Sequence, residues 1–152
     1  MATKEDLIGA FDEAYHSLWL AADIAVTRGH TAEAAGGWGV RAVLAHVAAW
    51  ESEATARLPL VQAGAPSIAY DEDAFNAAAV EAIGGEGLAR VRERLEDAHA
   101  RLMTLLDRLD GSAFVPGAPA HEWVTSLTAH SMEHAHQMGG ETLSPPHYAE
   151  LS

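Results

Sequence analysis

The 152-residue chain contains no cysteine, and that one absence removes three kinds of chemistry together. Disulfide staples, thiolate metal sites and a cysteine nucleophile are all excluded, so a bound metal must be held by imidazole and carboxylate, and a thiol must arrive with a substrate. Positive charge is scarce as well: 9 Lys and Arg stand against 22 Asp and Glu, a formal net charge of -13. A surface of that sign repels phosphate, which argues against nucleic acid and anionic membranes as partners, and no basic cluster reverses it locally. No apolar run approaches the roughly 20 residues of a membrane-spanning helix. The start, MATKEDLIG, lacks the basic and apolar regions of a secretory signal, so a cytoplasmic location is expected. Strand alternation, hairpin signals and internal repeats are also missing.

What is present is helical periodicity. With 49% hydrophobic residues, residues 1–152 are expected to form a single domain with a sizeable core. Thr3 and Asp6 resemble a capping box, and Leu7, Phe11, Leu18, Ala22 and Ala25 make one face of a first helix that ends before Gly29. A second helix is predicted from about Val40 to the region of Gln62, with Pro59 kinking or shortening its end. The stretch GAPSIAYDED then forms a long connection, followed by a short helical piece, AFNAAAVEAI. After Gly84, Gly85 and Gly87, a further long helix carries the stripe Leu88, Val91, Leu95, Leu102, Leu106 and Leu109. A loop, DGSAFVPGAPA, precedes the last long helix, which stops at Gly139 and Gly140. Four long amphipathic helices predict an all-α fold, a four-helix bundle.

Within that last helix, Trp123, Leu127, His130, His134 and Met138 recur at helical spacing, so two histidines stand one turn apart where an apolar stripe should run. Burying two neighbouring imidazoles without partners is costly, whereas a divalent cation binds both neutral rings and turns the cost into folding energy. The second helix offers a third: Val43, His46 and Trp50 share a face, and His46 again replaces a hydrophobe. Three convergent histidines with an open coordination position are what a catalytic metal site needs. An all-imidazole set suits zinc or nickel. Against this stands the bland alternative of hydrogen-bonded or solvated histidines in a His-rich segment. His136 lies about 240° around the helix from His130 and should face away. His16 is expected in solvent, and His99, bordering the Val91, Leu95 and Leu102 stripe, as a satisfied core residue, with a fourth-ligand role open.

Around such a site, Gln137 lies one turn beyond His134, Glu133 about 60° from His130, and Glu53 two turns from His46, so all three are candidates to support the ligands or the pocket. Their plain roles would be polar contacts at a bundle edge. Trp38, Trp50 and Trp123 can wall a pocket, although aromatic residues on helical stripes are commonly core. HSMEH also matches the inverted zinc-protease pattern H-x-x-E-H, but the acids that follow, Glu141 and Glu150, lie beyond a glycine break or near the end of the chain.

The segments WGVRAVLAHVAAWE, FNA at residues 75–77 and HSMEHAHQM, in that order, resemble the DinB-like superfamily, which includes mycothiol-dependent maleylpyruvate isomerases and DfsB-type proteins. The resemblance implies a four-helix bundle of up-down-down-up topology with His46, His130 and His134 as the ligand triad. It also implies homodimers, which the apolar surplus on the first and third long helices supports. Members with known activity include thiol-dependent isomerases, transferases and a hydrolase. A divalent-metal-dependent enzyme acting on a small electrophilic molecule is therefore expected, with water activated at the metal or a low-molecular-weight thiol as nucleophile. The alternative is a non-catalytic metal-bearing bundle that binds or sequesters a small molecule.

Overall fold

Helix ends in this chain are set by side chains that satisfy orphan backbone groups. The structure, a computed structural model, describes residues 2–28 and 39–139. Helix α1 spans Lys4–Thr27 and opens on the expected capping box: Thr3 Oγ1 accepts the Asp6 N–H at 3.1 Å and the Asp6 carboxylate accepts the Thr3 N–H at 2.9 Å. Helix α2 spans Val40–Gln62. Pro59 does not shorten it, because a proline so near the C-terminal end disturbs only the last turn. Helix α3, Glu72–Ala82, starts at Asp71, whose carboxylate accepts the Ala74 N–H. Helix α4 spans Leu88–Arg108 and helix α5 spans Pro119–Gly139, with proline at the first helical position, where its missing N–H costs nothing. Among the described residues there is no strand, and no helix is long and apolar enough to cross a membrane.

The segment 110–118, expected as a plain loop, contains a short 3-10 turn, Gly111–Phe114, that turns Phe114 into the core. Lys4 ties the same end together by donating to the carbonyls of Asp107 and Leu109, two of the acceptors that the end of α4 leaves unpaired.

Two apolar clusters fill the bundle. One gathers Leu7 and Phe11 of α1, Ala54 and Leu58 of α2, Leu102 and Leu106 of α4, and Val124 and Leu127 of α5. The other gathers Leu18 and Ala25 of α1, Val40 and Leu44 of α2, Val91 and Leu95 of α4, and Ala135 and Met138 of α5. The first half of α1 thus meets the second halves of α2 and α4 and the first half of α5, a grouping that fits α1 and α5 running one way and α2 and α4 the other. The stretch between α2 and α4, which includes α3, gives the chain the length to make that return.

The buried face of α5 runs through Val124, Leu127, Thr128, Ser131, Ala135 and Met138. Trp123, His130 and His134 are only half-buried and stand on its flank, so the histidines border the apolar stripe instead of forming part of it. Thr128 can be buried because its hydroxyl donates to the Val124 carbonyl at 2.8 Å.

Helix α3 is built differently. None of its side chains is buried, and its packing against the long helices is chiefly on α2. It hangs between Gly64 and Gly84, whose φ values of 104° and 51° are conformations that favour glycine. Its far end is moored by Ile83, which is buried, and by Arg41, which donates to the carbonyls of Gly84 and Glu86.

Candidate metal centre

Helix α2 presents His46 from its buried face, and α5 presents His130 and His134 one turn apart, so the three rings meet at the α2–α5 seam. Their Nε2 atoms converge: His46 to His130 is 3.1 Å, His46 to His134 is 2.9 Å, and His130 to His134 is 3.0 Å. The rings are mutually tilted, at 69° to 85°, so each aims its edge, not its face, at the common point. His46 is fully buried and the other two are half-buried.

The opposite ring nitrogens decide what sits at that point. His46 Nδ1 lies 3.3 Å from the Ala42 carbonyl, and His134 Nδ1 lies 3.1 Å from Gln137 Oε1. A carbonyl can only accept, so in a neutral ring the proton is on Nδ1 and the lone pair on Nε2, an assignment made from the partners. Two lone pairs therefore face each other at 2.9 Å across His46 and His134. A proton on His130 Nε2 would satisfy only one of those two lone pairs, whereas one cation accepts both, together with that of His130 in its other tautomer. The donor set fits a divalent metal and its three imidazoles can hold one. Burial, then the neighbouring His134, pushes His46 down to about 4. Burial, then His134 and His46, pushes His130 down to about 3. Burial also lowers His134, with Gln137 and Glu133 opposing. All three rings are thus neutral, the form that ligates, across the physiological range.

A cavity of about 410 Å³ opens onto His130. Trp50 and Trp123 wall it from α2 and α5, and Tyr70 and Asn76 close it from the α3 side. Trp50 is held from both ends, its indole N–H donating to Asn76 Oδ1 at 2.7 Å and its ring stacking on Phe75 with centroids 3.9 Å apart. Further along α2, Glu53 takes the Nε–H of Arg57 at 3.2 Å. The Tyr70 hydroxyl is buried near both. Burial, then Glu53, raises its pKa, so it remains a neutral donor.

Of the residues expected around the site, Gln137 bonds His134, Trp50 and Trp123 line the cavity, and Glu53 reaches it through Arg57. Glu133 is exposed and acts on His134 only through its charge. His16 and His136 are exposed. Trp38, Glu141 and Glu150 lie outside the described residues.

His99 belongs elsewhere. Its Nδ1 bonds Glu51 Oε1 at 2.6 Å, its Nε2 bonds Asp12 Oδ1 at 2.9 Å, and its ring stacks flat on Tyr15 at 3.6 Å. This polar link crosses the bundle from α1 through α4 to α2 and is not part of the histidine triad. Glu51 is fully buried, and its Oε2 has no hydrogen-bond partner among the described residues. Neither Glu51 nor Asp12 was expected at a buried site. A signal for Glu51 existed, since position 51 falls at helical spacing with Val47, Ala54 and Leu58, where a carboxylate is as anomalous as His46 is on its own face.

No match was found among curated proteins or among solved structures. A family model, described as the DinB superfamily, matches residues 10–138, a stretch that contains all three triad histidines and every long helix except the first residues of α1 and the last of α5. The chain belongs to the DinB superfamily.

Proposed function

We propose that the protein is a divalent-metal-dependent enzyme that acts on a small electrophilic molecule, with water or a low-molecular-weight thiol as nucleophile. One observation carries the reading: the Nε2 atoms of three imidazoles converge beside a cavity that opens onto one of them, His130, and is large enough for a small molecule. A zinc or nickel ion held there would supply Lewis-acid chemistry, polarising an electrophile or lowering the pKa of a water or thiol. The chain supplies the rest. The Ala42 carbonyl and Gln137 fix which nitrogen of His46 and His134 faces the centre. Trp50 and Trp123 give the bound molecule an apolar wall, strengthening polar contacts by excluding water.

The absence of cysteine supports a nucleophile from outside the protein. Leu20 and Val26, exposed on α1, support a homodimer as part of the same proposal. A screen of electrophiles with water, glutathione, bacillithiol or mycothiol should show turnover by metal-loaded protein and loss in His134→Ala. Turnover undiminished in that variant would refute the mechanism. Tight metal-dependent retention of a ligand without turnover would move the reading to a binding or sequestering protein.

A further inference from the structure

Away from the histidine triad the cavity is lined by an arginine that the metal-centred reading does not use. On α2, His46, Trp50, Glu53, Arg57 and Val61 follow one another at helical spacing, and four of the five reach the triad or line the cavity. Arg57 stands eleven residues beyond His46, about 16 Å along the helix axis. Its Nε is engaged by Glu53, which fixes the plane of the guanidinium. Its terminal nitrogens have Tyr70 as a polar neighbour and carry four N–H groups, so donors are left beside the cavity. The Tyr70 hydroxyl is buried beside the same arginine, with Arg57 and Glu53 as its polar neighbours. A pre-oriented guanidinium fork and a hydroxyl donor make a receptor for a planar, two-oxygen anion.

Glu53 offsets the charge of Arg57 but does not occupy all of its donors. Glu53 is committed to Arg57 Nε, and Glu122 takes the Gly117 N–H at 3.2 Å while its side chain is 64% exposed. Glu72 is also exposed, in the first turn of α3. The solvated rim carboxylates are screened by water, and Arg57, with 35% of its side chain exposed, is screened in part.

We propose that Arg57 and Tyr70 form a carboxylate-binding subsite, so that the molecule taken by this site is elongated, with a carboxylate at one end, an apolar middle against Trp50 and Trp123, and its metal-directed group at the other. This rests on the metal-centred reading above and adds the chemical class of the ligand.

The test uses ω-carboxyalkyl hydroxamates of increasing chain length, each paired with its methyl ester, binding to zinc-loaded protein and followed by tryptophan fluorescence. The hydroxamate group addresses the metal and the free acid addresses Arg57. Above a threshold length the acid should bind about tenfold more tightly than its ester, about 1.4 kcal/mol. In Arg57→Gln that preference should vanish through weaker binding of the acid, and Tyr70→Phe should reduce the preference without abolishing it. The acid and ester comparison in the unaltered protein needs no variant to fold. Equal binding of acid and ester at every length, with binding still lost on chelation, overturns the subsite and leaves the metal-centred reading intact. Absence of any metal-dependent hydroxamate binding overturns both.

Discussion

Raising the pH above about 6.5 is expected to destabilise this protein through the link between Glu51, His99 and Asp12. Burial disfavours charge on His99, but its hydrogen bonds to Glu51 and Asp12 outweigh that and raise its pKa above the ordinary 6.5. Burial likewise raises Glu51 above its ordinary 4.5, opposed by His99. The two groups share one short hydrogen bond, so the folded cluster holds one proton that the unfolded chain, with Glu51 ionised and His99 neutral, releases above about pH 6.5. The sign follows directly. The folded state binds more protons, so stability is fully present below the unfolded value of 6.5 and falls as pH rises toward the folded value. With one proton at stake the slope approaches about 1.4 kcal/mol per pH unit. The triad does not blur this window, because its depressed rings contribute a stability that rises only up to about 6.5 and is flat above it. Tyr15, stacked on His99, is pushed up to about 12 by burial and stays neutral throughout. Urea unfolding of chelator-treated protein at a series of pH values should show the decline. The double substitution Glu51→Gln and His99→Gln keeps polar atoms in place without a titrating proton and should flatten it. A wild-type curve no steeper than that of the double variant would refute the shared proton.

The triad predicts that purified protein carries about one divalent ion per chain, and that His46→Ala and His130→Ala lose it while the helical signal is largely kept. Elemental analysis alongside circular dichroism reads both, and full retention in both variants would sink the triad. Adding zinc at about 100 times its dissociation constant should stabilise the wild-type fold by about 2.7 kcal/mol in calorimetry, an effect absent from His130→Ala. Gln137→Leu removes the acceptor from His134 Nδ1 and should weaken zinc affinity about tenfold in a chelator competition, with little change in metal-free stability. Light scattering at micromolar concentration should give twice the 16.1 kDa chain mass; a monomer mass would refute the dimer.

Much of the fold was legible because the helices obey simple chemistry. The capping box at Thr3 and the Val91, Leu95, Leu102 and Leu106 stripe mark real elements, and the glycines at 84, 85 and 87 mark a real break. His46, His130 and His134 were legible as anomalies on buried or bordering faces, and the three do meet. The centre of the α5 face was misjudged because Thr128 and Ser131 read as polar, although a threonine can bond its own helix backbone and be buried. The turn that buries Phe114 left no trace, since four residues carry no period. Arg57 and Tyr70 were invisible as a pair, because their meeting depends on how the chain returns from Gly64 and not on spacing within one helix.

Helix α3 and the residues before it have a consequence for how this protein can change over generations. Ser67, Ile68, Tyr70 and Asn76 shape the cavity, yet they sit in a stretch that adds little to the core of the bundle. Part of what shapes the cavity is therefore written in residues on which the core does not depend, while Trp50, Trp123 and Leu127 serve both. Substitutions in this stretch can alter what the cavity admits at little cost to the margin that keeps the bundle folded, while the histidines stay anchored on helices that those substitutions do not touch. A lineage carrying this architecture can adjust the rim of the cavity by drift in the cover while the bundle side of it stays fixed.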